Sequence, residues 1–202
     1  VSSGNSYQDA SSRIFSEAGF RVIHIPVLQY EYVNDWEPVP GVDAVVLTSP
    51  RAVVAIAARA DRERHLPPNF QHLPWFSIGP TTRSAVEAFG IHGAKSAGGS
   101  SAKLAEEIVC QGVESIAYFA GEPHRAELTD ILKKKGVRIE KRIVYRSIPN
   151  LTMDLTDLDS PDWAVFFSPR GVEIVSCAPG PNWFAVRIAA IGPTTAKAVE
   201  LQ

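Results

Sequence analysis

Apolar residues along the chain fall into two alternating patterns. Short, nearly continuous apolar runs at 43–49 (DAVVLTS), 75–79 (WFSIG), 115–121 (SIAYFAG), 163–168 (WAVFFS) and 187–192 (RIAAIG) predict strands buried on both faces, as in parallel sheets. A sixth run, 21–28 (RVIHIPVL), predicts another strand. Between them lie segments with helical spacing: 6–19, 51–63, 82–90, 102–112, 124–136, 171–178 and 195–200. Four of these reach a glycine, at Gly19, Gly90, Gly112 and Gly136, the residue that best accepts the left-handed conformation closing a helix. Strand and helix in alternation mean an α/β protein with parallel sheets and right-handed crossovers. Two stretches break the pattern. RIEKRIVYRS (138–147) alternates charged and apolar residues, as a half-exposed strand does, and YEYVNDWEPVPG (30–41) is polar with two prolines. They bracket the segment between them and predict a chain that crosses from one lobe to another and back.

The chain also repeats itself. IGPTTRSAVE starts at Ile78, and IGPTTAKAVE starts 113 residues later at Ile191, with eight of ten letters the same. LTSPRAV (47–53) is matched by FFSPRGV (166–172), and in both halves the SPR segment precedes the IGPTT segment. A self-similar order at a long offset marks a duplicated unit, here of small-domain size.

Composition narrows the partners. The 202 residues are 45% hydrophobic and 21% charged, ordinary for a globular protein, and a net charge of −2 argues against nucleic acid. No apolar run approaches the roughly 20 residues of a membrane helix. The opening VSSGNSYQDA has no apolar core of a signal peptide, so a cytoplasmic protein is expected. Cys110 and Cys177 lie outside any CxxC or Cys/His cluster, so they predict two small buried hydrophobes and no zinc site.

The repeated turns carry the candidate chemistry. Ser49 suits a helix N-cap, with Pro50 at the first helical position. Gly79 allows a tight turn, and Thr81 or Thr82 can cap the helix that follows. Ser168–Pro169 and Gly192–Pro193–Thr194–Thr195 repeat the logic. Most such turns are only good caps. Yet the carboxyl ends of parallel strands form the usual ligand crevice of open α/β sheets, and helix N-termini there offer N–H groups and partial positive charge to anions. Two more strand-end turns belong with them: GGSSAKLAEEI (98–108), with Ser100 and Ser101, and AGEPHRAEL (120–128), with Gly121, His124 and Arg125. Arg51 and Arg170 sit in first helical turns, where the dipole disfavours a cation, which hints at a ligand role. There is no GxGxxG, Walker lysine, GxSxG or HExxH motif. The residues alone lead to a two-lobed α/β protein that holds a polyanionic, non-nucleotide ligand.

Taken together and in order, TSPRAV, IGPTT, KLAE, FFSPRGV and AAIGPTTAKA resemble the uroporphyrinogen-III synthase family over nearly the whole chain. IPVL (25–28) and KKKGVRIEKRIVYRS (133–147) add to the match. The resemblance implies two flavodoxin-like lobes with parallel sheets joined by a two-stranded linker. Residues 1–29 and 148–202 would form an end-built lobe, 35–143 a middle lobe, and 30–34 with 144–147 the linker. It implies hydroxymethylbilane, a linear tetrapyrrole with eight carboxylates, as the small-molecule substrate, and no metal or cofactor. It further implies a monomer with no nucleic-acid or membrane partner, and the upstream bilane-forming enzyme as a candidate partner. Relative to the family pattern, a first strand before Tyr7 and a final strand and helix after Gln202 are expected.

The implied reaction is ring closure with loss of water. The ring A hydroxyl leaves to give an azafulvene, which attacks the substituted carbon of ring D. The resulting spiro intermediate fragments and recloses with ring D inverted. The substrate supplies most of the electron push, so catalysis is mainly positioning, and no prominent nucleophile is needed. By position, Tyr145 in the VY motif matches the family's cleft tyrosine and would assist departure of the hydroxyl. Ser49, Arg51, Thr82, Ser168, Thr194 and Thr195 match cleft positions, and Arg187 falls where a basic cleft residue can occur. Thr81, Ser100, Ser101, Gly121 and Arg125 join them as substrate-binding candidates. The competing reading is a non-catalytic two-lobed module for a polyanionic tetrapyrrole. A sugar-nucleotide transferase is disfavoured, because no Asp-x-Asp lies at a strand end.

Overall fold

A computed structural model of the chain describes residues 6–37, 39–63, 68–158 and 161–202. Its elements are α1 (Ser6–Glu17), β1 (Leu28–Tyr32), β2 (Ala44–Leu47), α2 (Pro50–Glu63), β3 (Trp75–Ser77), α3 (Pro80–Ala88), β4 (Lys95–Ser96), α4 (Ser101–Cys110), β5 (Ser115–Glu122), α5 (Glu127–Lys134), β6 (Arg138–Pro149), β7 (Trp163–Phe166), α6 (Pro169–Ser176), β8 (Arg187–Ala190) and α7 (Pro193–Glu200). The chain divides into one unit of Tyr30–Ile148 and another of Val1–Gln29 with Pro149–Gln202. The division falls within β1 on the way out and within β6 on the way back.

Among the described residues, one sheet has the order β1-β6-β5-β2-β3-β4, and β7 pairs with β8 in a second. The pairs β2/β3, β3/β4, β2/β5, β5/β6 and β7/β8 are all parallel. Counted from β2, the parallel strands run 3-2-1-4-5: the chain winds outward through β3 and β4, then α4 carries it back to β5. A flavodoxin-like sheet would run 2-1-3-4-5, so the parallel doubly wound architecture is present with a different strand order.

The continuous apolar runs are explained by what covers them. Val45, Leu47, Ala117 and Phe119 face α2 and α3, packing with Val53, Ile56 and Val86. Ala44, Val46, Ile116, Tyr118 and Ala120 face α4 and α5, packing with Leu104, Ile108, Leu128 and Leu132. Successive strand residues point to opposite faces, and with both faces covered every position of β2 is buried. The segment after β1 also enters this core. Trp36 and Val39 are buried, and the Trp36 ring meets Phe119 edge-on at 4.8 Å. The polar look of 30–41 therefore hides two core residues, while Glu37, Pro40 and Gly41 around them are exposed.

Four expectations need correction. Residues 21–27 do not form a strand. Their backbone bonds go to a turn instead: the Asn150 N–H donates to the Val27 carbonyl at 3.0 Å, and its side-chain amide donates to Pro26 at 3.1 Å. Ile25 and Val27 pack beside Met153, Leu155, Ile174 and Val175. Second, α5 begins at Glu127, after His124 and Arg125 rather than at them. Third, β4 escaped the hydrophobic pattern because two residues are too few to show a period. Finally, both cysteines are exposed. Cys110 lies two residues beyond Ile108 and Cys177 two beyond Val175, and each step of two turns the side chain about 200° away from the buried stripe. The glycine closures hold: Gly19, Gly90, Gly112 and Gly136 all have positive φ.

Candidate functional site

Strand order reverses between β2 and β5, and an open α/β sheet binds its ligand outside the carboxyl ends of strands at such a reversal. Thr48 and Ser49 follow β2 there, and Gly121 lies near the end of β5. Ser49 accepts the backbone N–H of Arg51 through its Oγ at 3.2 Å, anchoring the first turn of α2.

Tyr145 reaches this place through an irregularity in β6. Ala120 pairs with Ile143, but Gly121 pairs with Tyr145, leaving Val144 as an extra residue. Such a bulge re-aims the side chain that follows it. In a regular strand Val144 and Tyr145 would face opposite sides; here both pack against the cluster on the α2/α3 face. The Tyr145 ring lies across Gly121, and a Cβ at residue 121 would overlap the ring. Gly121 is thus required for close approach.

Three further side chains complete the cluster. The Arg51 guanidinium lies over the Tyr30 ring, 3.8 Å from its centroid. Tyr30 in turn meets Tyr145 edge-on at 6.2 Å. The Tyr118 hydroxyl is within 3.2 Å of Thr48 Oγ1. Burial pushes the Tyr118 phenol above its usual range, the Thr48 hydrogen bond opposes this, and the neighbouring Tyr145 adds to it. Tyr118 therefore stays protonated through neutral pH.

The same edge continues along β3 and β4. At Ile78–Gly79–Pro80 the N-cap is Gly79, with extended backbone (φ −147°, ψ 168°) and no side-chain cap. The expected threonine cap is corrected, because Pro80 takes the first helical position and draws both threonines into the first turn. Thr81 is exposed, whereas Thr82 is buried. Gly79 is not there for a left-handed turn; it sits against the Gly99 backbone. The Gly99 N–H donates to the Ile78 carbonyl, stitching this turn to the next. Ser100 caps α4, accepting from the Lys103 N–H at 3.4 Å, and Ser101 is buried. Neighbouring strands lie about 4.8 Å apart, so the edge from β6 to β4 spans roughly 20 Å. Arg125 is exposed just before α5. His124 stacks edge-on against Tyr118 at 6.2 Å and lies 3.4 Å from Lys141 Nζ.

In the other unit, Ser168 caps α6 through the Gly171 N–H at 3.1 Å. Gly192 caps α7 without a side-chain bond, Thr194 is exposed and Thr195 is buried. Thr82 and Thr195, equivalent in the repeat, are both 3% exposed. Arg187 does not join this group. It sits at the amino end of β8, its guanidinium 4.7 Å from the Trp163 ring centroid, while Ser168 and Thr194 follow the carboxyl ends.

The structure thus brings Ser49, Arg51, Thr81, Ser100, Gly121 and Tyr145 to one sheet edge, buries the side chains of Thr82 and Ser101, and sets Arg187 apart. Sequence reasoning missed Tyr30, Thr48 and Tyr118. Tyr118 carried a readable signal, a phenol in an otherwise apolar strand. Tyr30 carried none, since its partners come from residues 51 and 145. Among the described residues, no group of His, Cys, Asp or Glu is arranged to hold a metal ion, and no helix is long and apolar enough to cross a membrane.

A doubly wound parallel sheet whose carboxyl edge gathers helix N-termini, hydroxyls and a ring-held arginine defines an α/β protein with a candidate anion-binding edge. The chain belongs to the uroporphyrinogen-III synthase family: the family model described as uroporphyrinogen-III synthase HemD matches residues 9–202. The family is one of cyclising lyases in heme biosynthesis. The fold is similar to that of uroporphyrinogen-III synthetase from Helicobacter pylori 26695, with a TM-score of 0.61 and 19% identity over 87% of this chain and 80% of that one. It is also similar to a mutant uroporphyrinogen III synthase from the extremely thermophilic bacterium Thermus thermophilus, with a TM-score of 0.57 and 19% identity over 98% of this chain and 86% of that one.

Proposed function

We propose that this protein cyclises hydroxymethylbilane to uroporphyrinogen III, with loss of water and inversion of ring D. The observation that carries the reading is the family match over residues 9–202. The geometry fits the chemistry it implies. Eight carboxylates cannot be held by the bulk charge of a protein of net charge −2, so local donors must hold them. The carboxyl edge from β6 to β4 supplies such donors: the starts of α2, α3 and α4, the hydroxyls of Ser49, Thr81 and Ser100, and the Arg51 guanidinium. Tyr145 is the group we assign to assist departure of the ring A hydroxyl, as a proton donor or through a water. Ser168 and Thr194 supply donors of the same design in the other unit, and Arg125 is a further candidate for a substrate carboxylate.

The finer architecture belongs to the same proposal. Residues 1–29 with 148–202 and residues 35–143 are read as two doubly wound lobes, and 30–34 with 144–147 as the two strands joining them. Adjacency of β1 and β6, and a unit boundary within each, support this. The protein is read as acting without a cofactor and as a monomer, with the upstream bilane-forming enzyme as a partner that would hand on a labile substrate.

Freshly made hydroxymethylbilane, incubated with the protein and separated into type I and type III products, tests the reading. Type III product is expected. Since the uncatalysed closure gives type I, a mixture of type I alone would overturn catalysis and favour a binding module.

A further inference from the structure

Arg51 and Arg170 occupy the same position in the two SPR repeats but are held differently. Arg170 Nη1 donates to Glu173 Oε2 at 3.0 Å, three residues on in the same helix. The carboxylate neutralises the cation and occupies one of its donors. The residue three beyond Arg51 is Val54, which cannot do this. Arg51 is instead held over the Tyr30 ring. A ring restrains a guanidinium by attraction to its face but brings no negative charge, so the cation keeps its full charge for an incoming anion. Tyr30 also touches Tyr145, at 6.2 Å between centroids and 67° between planes. One side chain, contributed by β1, therefore contacts both the cation assigned to bind a carboxylate and the phenol assigned to the chemistry.

We propose that Tyr30 is a positioning residue for the cyclisation, its ring fixing Arg51 and Tyr145 relative to each other so that carboxylate binding and hydroxyl departure are set by one contact. The inference rests on the functional reading above. Both contacts are made by the ring, so the hydroxyl of Tyr30 is dispensable. Tyr30 is partly exposed and lies outside the buried clusters, so its loss leaves the fold in place.

The test compares Tyr30→Leu, Tyr30→Ala and Tyr30→Phe with the wild type in steady-state cyclisation of hydroxymethylbilane, scoring KM, kcat, isomer ratio and Tm. Tyr30→Leu keeps apolar bulk without a π face and guards against a poorly folded Ala variant. The expected result is a KM raised about tenfold, from a loosened Arg51. A kcat lowered several-fold, from a misplaced Tyr145, accompanies it in both ring-less variants. Tm stays near wild type, and Tyr30→Phe recovers most of both losses. Wild-type KM and kcat in Tyr30→Leu would overturn the inference, as would a Tyr30→Phe variant as impaired as Tyr30→Leu. A fall in Tm without a kinetic change would mean a purely structural ring and would overturn it too. A wild type that makes no type III product would overturn the functional reading and this inference with it. An active wild type beside unaffected ring-less variants would overturn this inference alone.

Discussion

The segments β2–α2–β3–α3 and β7–α6–β8–α7 carry the same two turns in the same order, and the structure builds both as adjacent parallel strands followed by proline-started helices. Their surroundings differ. β2 lies between β3 and β5, covered on both faces, and Val46 is fully buried. β7 has only β8 beside it among the described residues, and Val165, the counterpart of Val46, is 37% exposed. The turns match even so: equivalent threonines are equally buried, and equivalent serines bond the first-turn backbone. Local chemistry fixes the turn, whereas the number of neighbouring strands fixes how much each strand buries. Part of what makes the first copy chemically distinct lies inside the repeat, where Val54 stands in the place of the Glu173 that pairs with Arg170, and the rest is imported from outside it. Tyr145, Gly121 and Tyr30 come from β6, β5 and β1, and no motif in the second copy corresponds to them.

The sharpest way to break this contrast is to remove the imported group. We predict that Gly121→Ala and Tyr145→Phe each lower turnover by up to about 10²-fold, the first because the new Cβ displaces the phenol and a misplacement of about 1 Å is enough, the second by losing the proton donor. Tm should change little in Tyr145→Phe, because the ring still packs. Turnover and Tm for both variants test this. Unchanged turnover in Tyr145→Phe would leave steering of the bilane by Arg51 and the helix starts as the source of rate.

Stability sharpens the comparison next. Val46→Ala removes two buried methyl groups and is expected to cost about 2 kcal/mol, including the cavity left behind. Val165→Ala, at the equivalent place, should cost under about 0.5 kcal/mol. Denaturant midpoints of the two variants measure the difference, and equal losses would mean that β7 is as well covered as β2 in solution.

How much of this could be read in the chain depends on how far apart the interacting residues lie. The strands 43–49 and 115–121 were legible because cover on both faces writes itself as an unbroken apolar run. The duplicated turns were legible because a cap acts within three residues. Residues 21–27 misled because an apolar run predicts burial but does not supply the neighbour a ladder needs, and the Pro26 and Val27 carbonyls went to Asn150 instead. The Tyr145 position was found only through resemblance. Its orientation depends on a bulge at Val144 and on a missing Cβ at Gly121, and neither has a period to detect. Tyr30 and Arg51 meet through folding alone. The cysteines were misjudged because residue type outweighed helix phase: two positions past the last buried residue, even a small hydrophobe faces water.

Smaller effects test the shared part of the repeat. Ser49→Ala and Ser168→Ala each remove one oxygen that accepts a first-turn N–H, so each should cost about 1 kcal/mol. The prediction is equality despite unequal burial of the strands. A loss confined to Ser168→Ala would show that the Ser49 contact, two residues on rather than three, does not act as a cap.

The subtlest difference lies at the amino ends of the equivalent strands, where Asp43 and Asp162 correspond. Asp43 Oδ2 accepts the Ser115 Oγ–H and N–H, both at 2.8 Å, and the Glu114 N–H at 3.2 Å, tying the start of β2 to that of β5. Asp162 instead uses its backbone carbonyl, which accepts the Arg187 N–H at 3.1 Å. The hydrogen bond from the Ser115 side chain, helped by the two backbone N–H groups and Arg138, holds the Asp43 carboxyl below its ordinary 3.8. A carboxyl whose folded pKa is depressed stabilises the protein above its unfolded value, and that contribution fades as pH falls through the folded one. The expected outcome is a Tm gap between wild type and Asp43→Asn that is constant above about pH 5 and closes below pH 3.8. Asp162→Asn, whose carbonyl contact survives the substitution, is the matched control. A gap at Asp43 that persists unchanged to about pH 2 would mean that its bonds to Ser115 and Glu114 do not depend on the carboxylate charge.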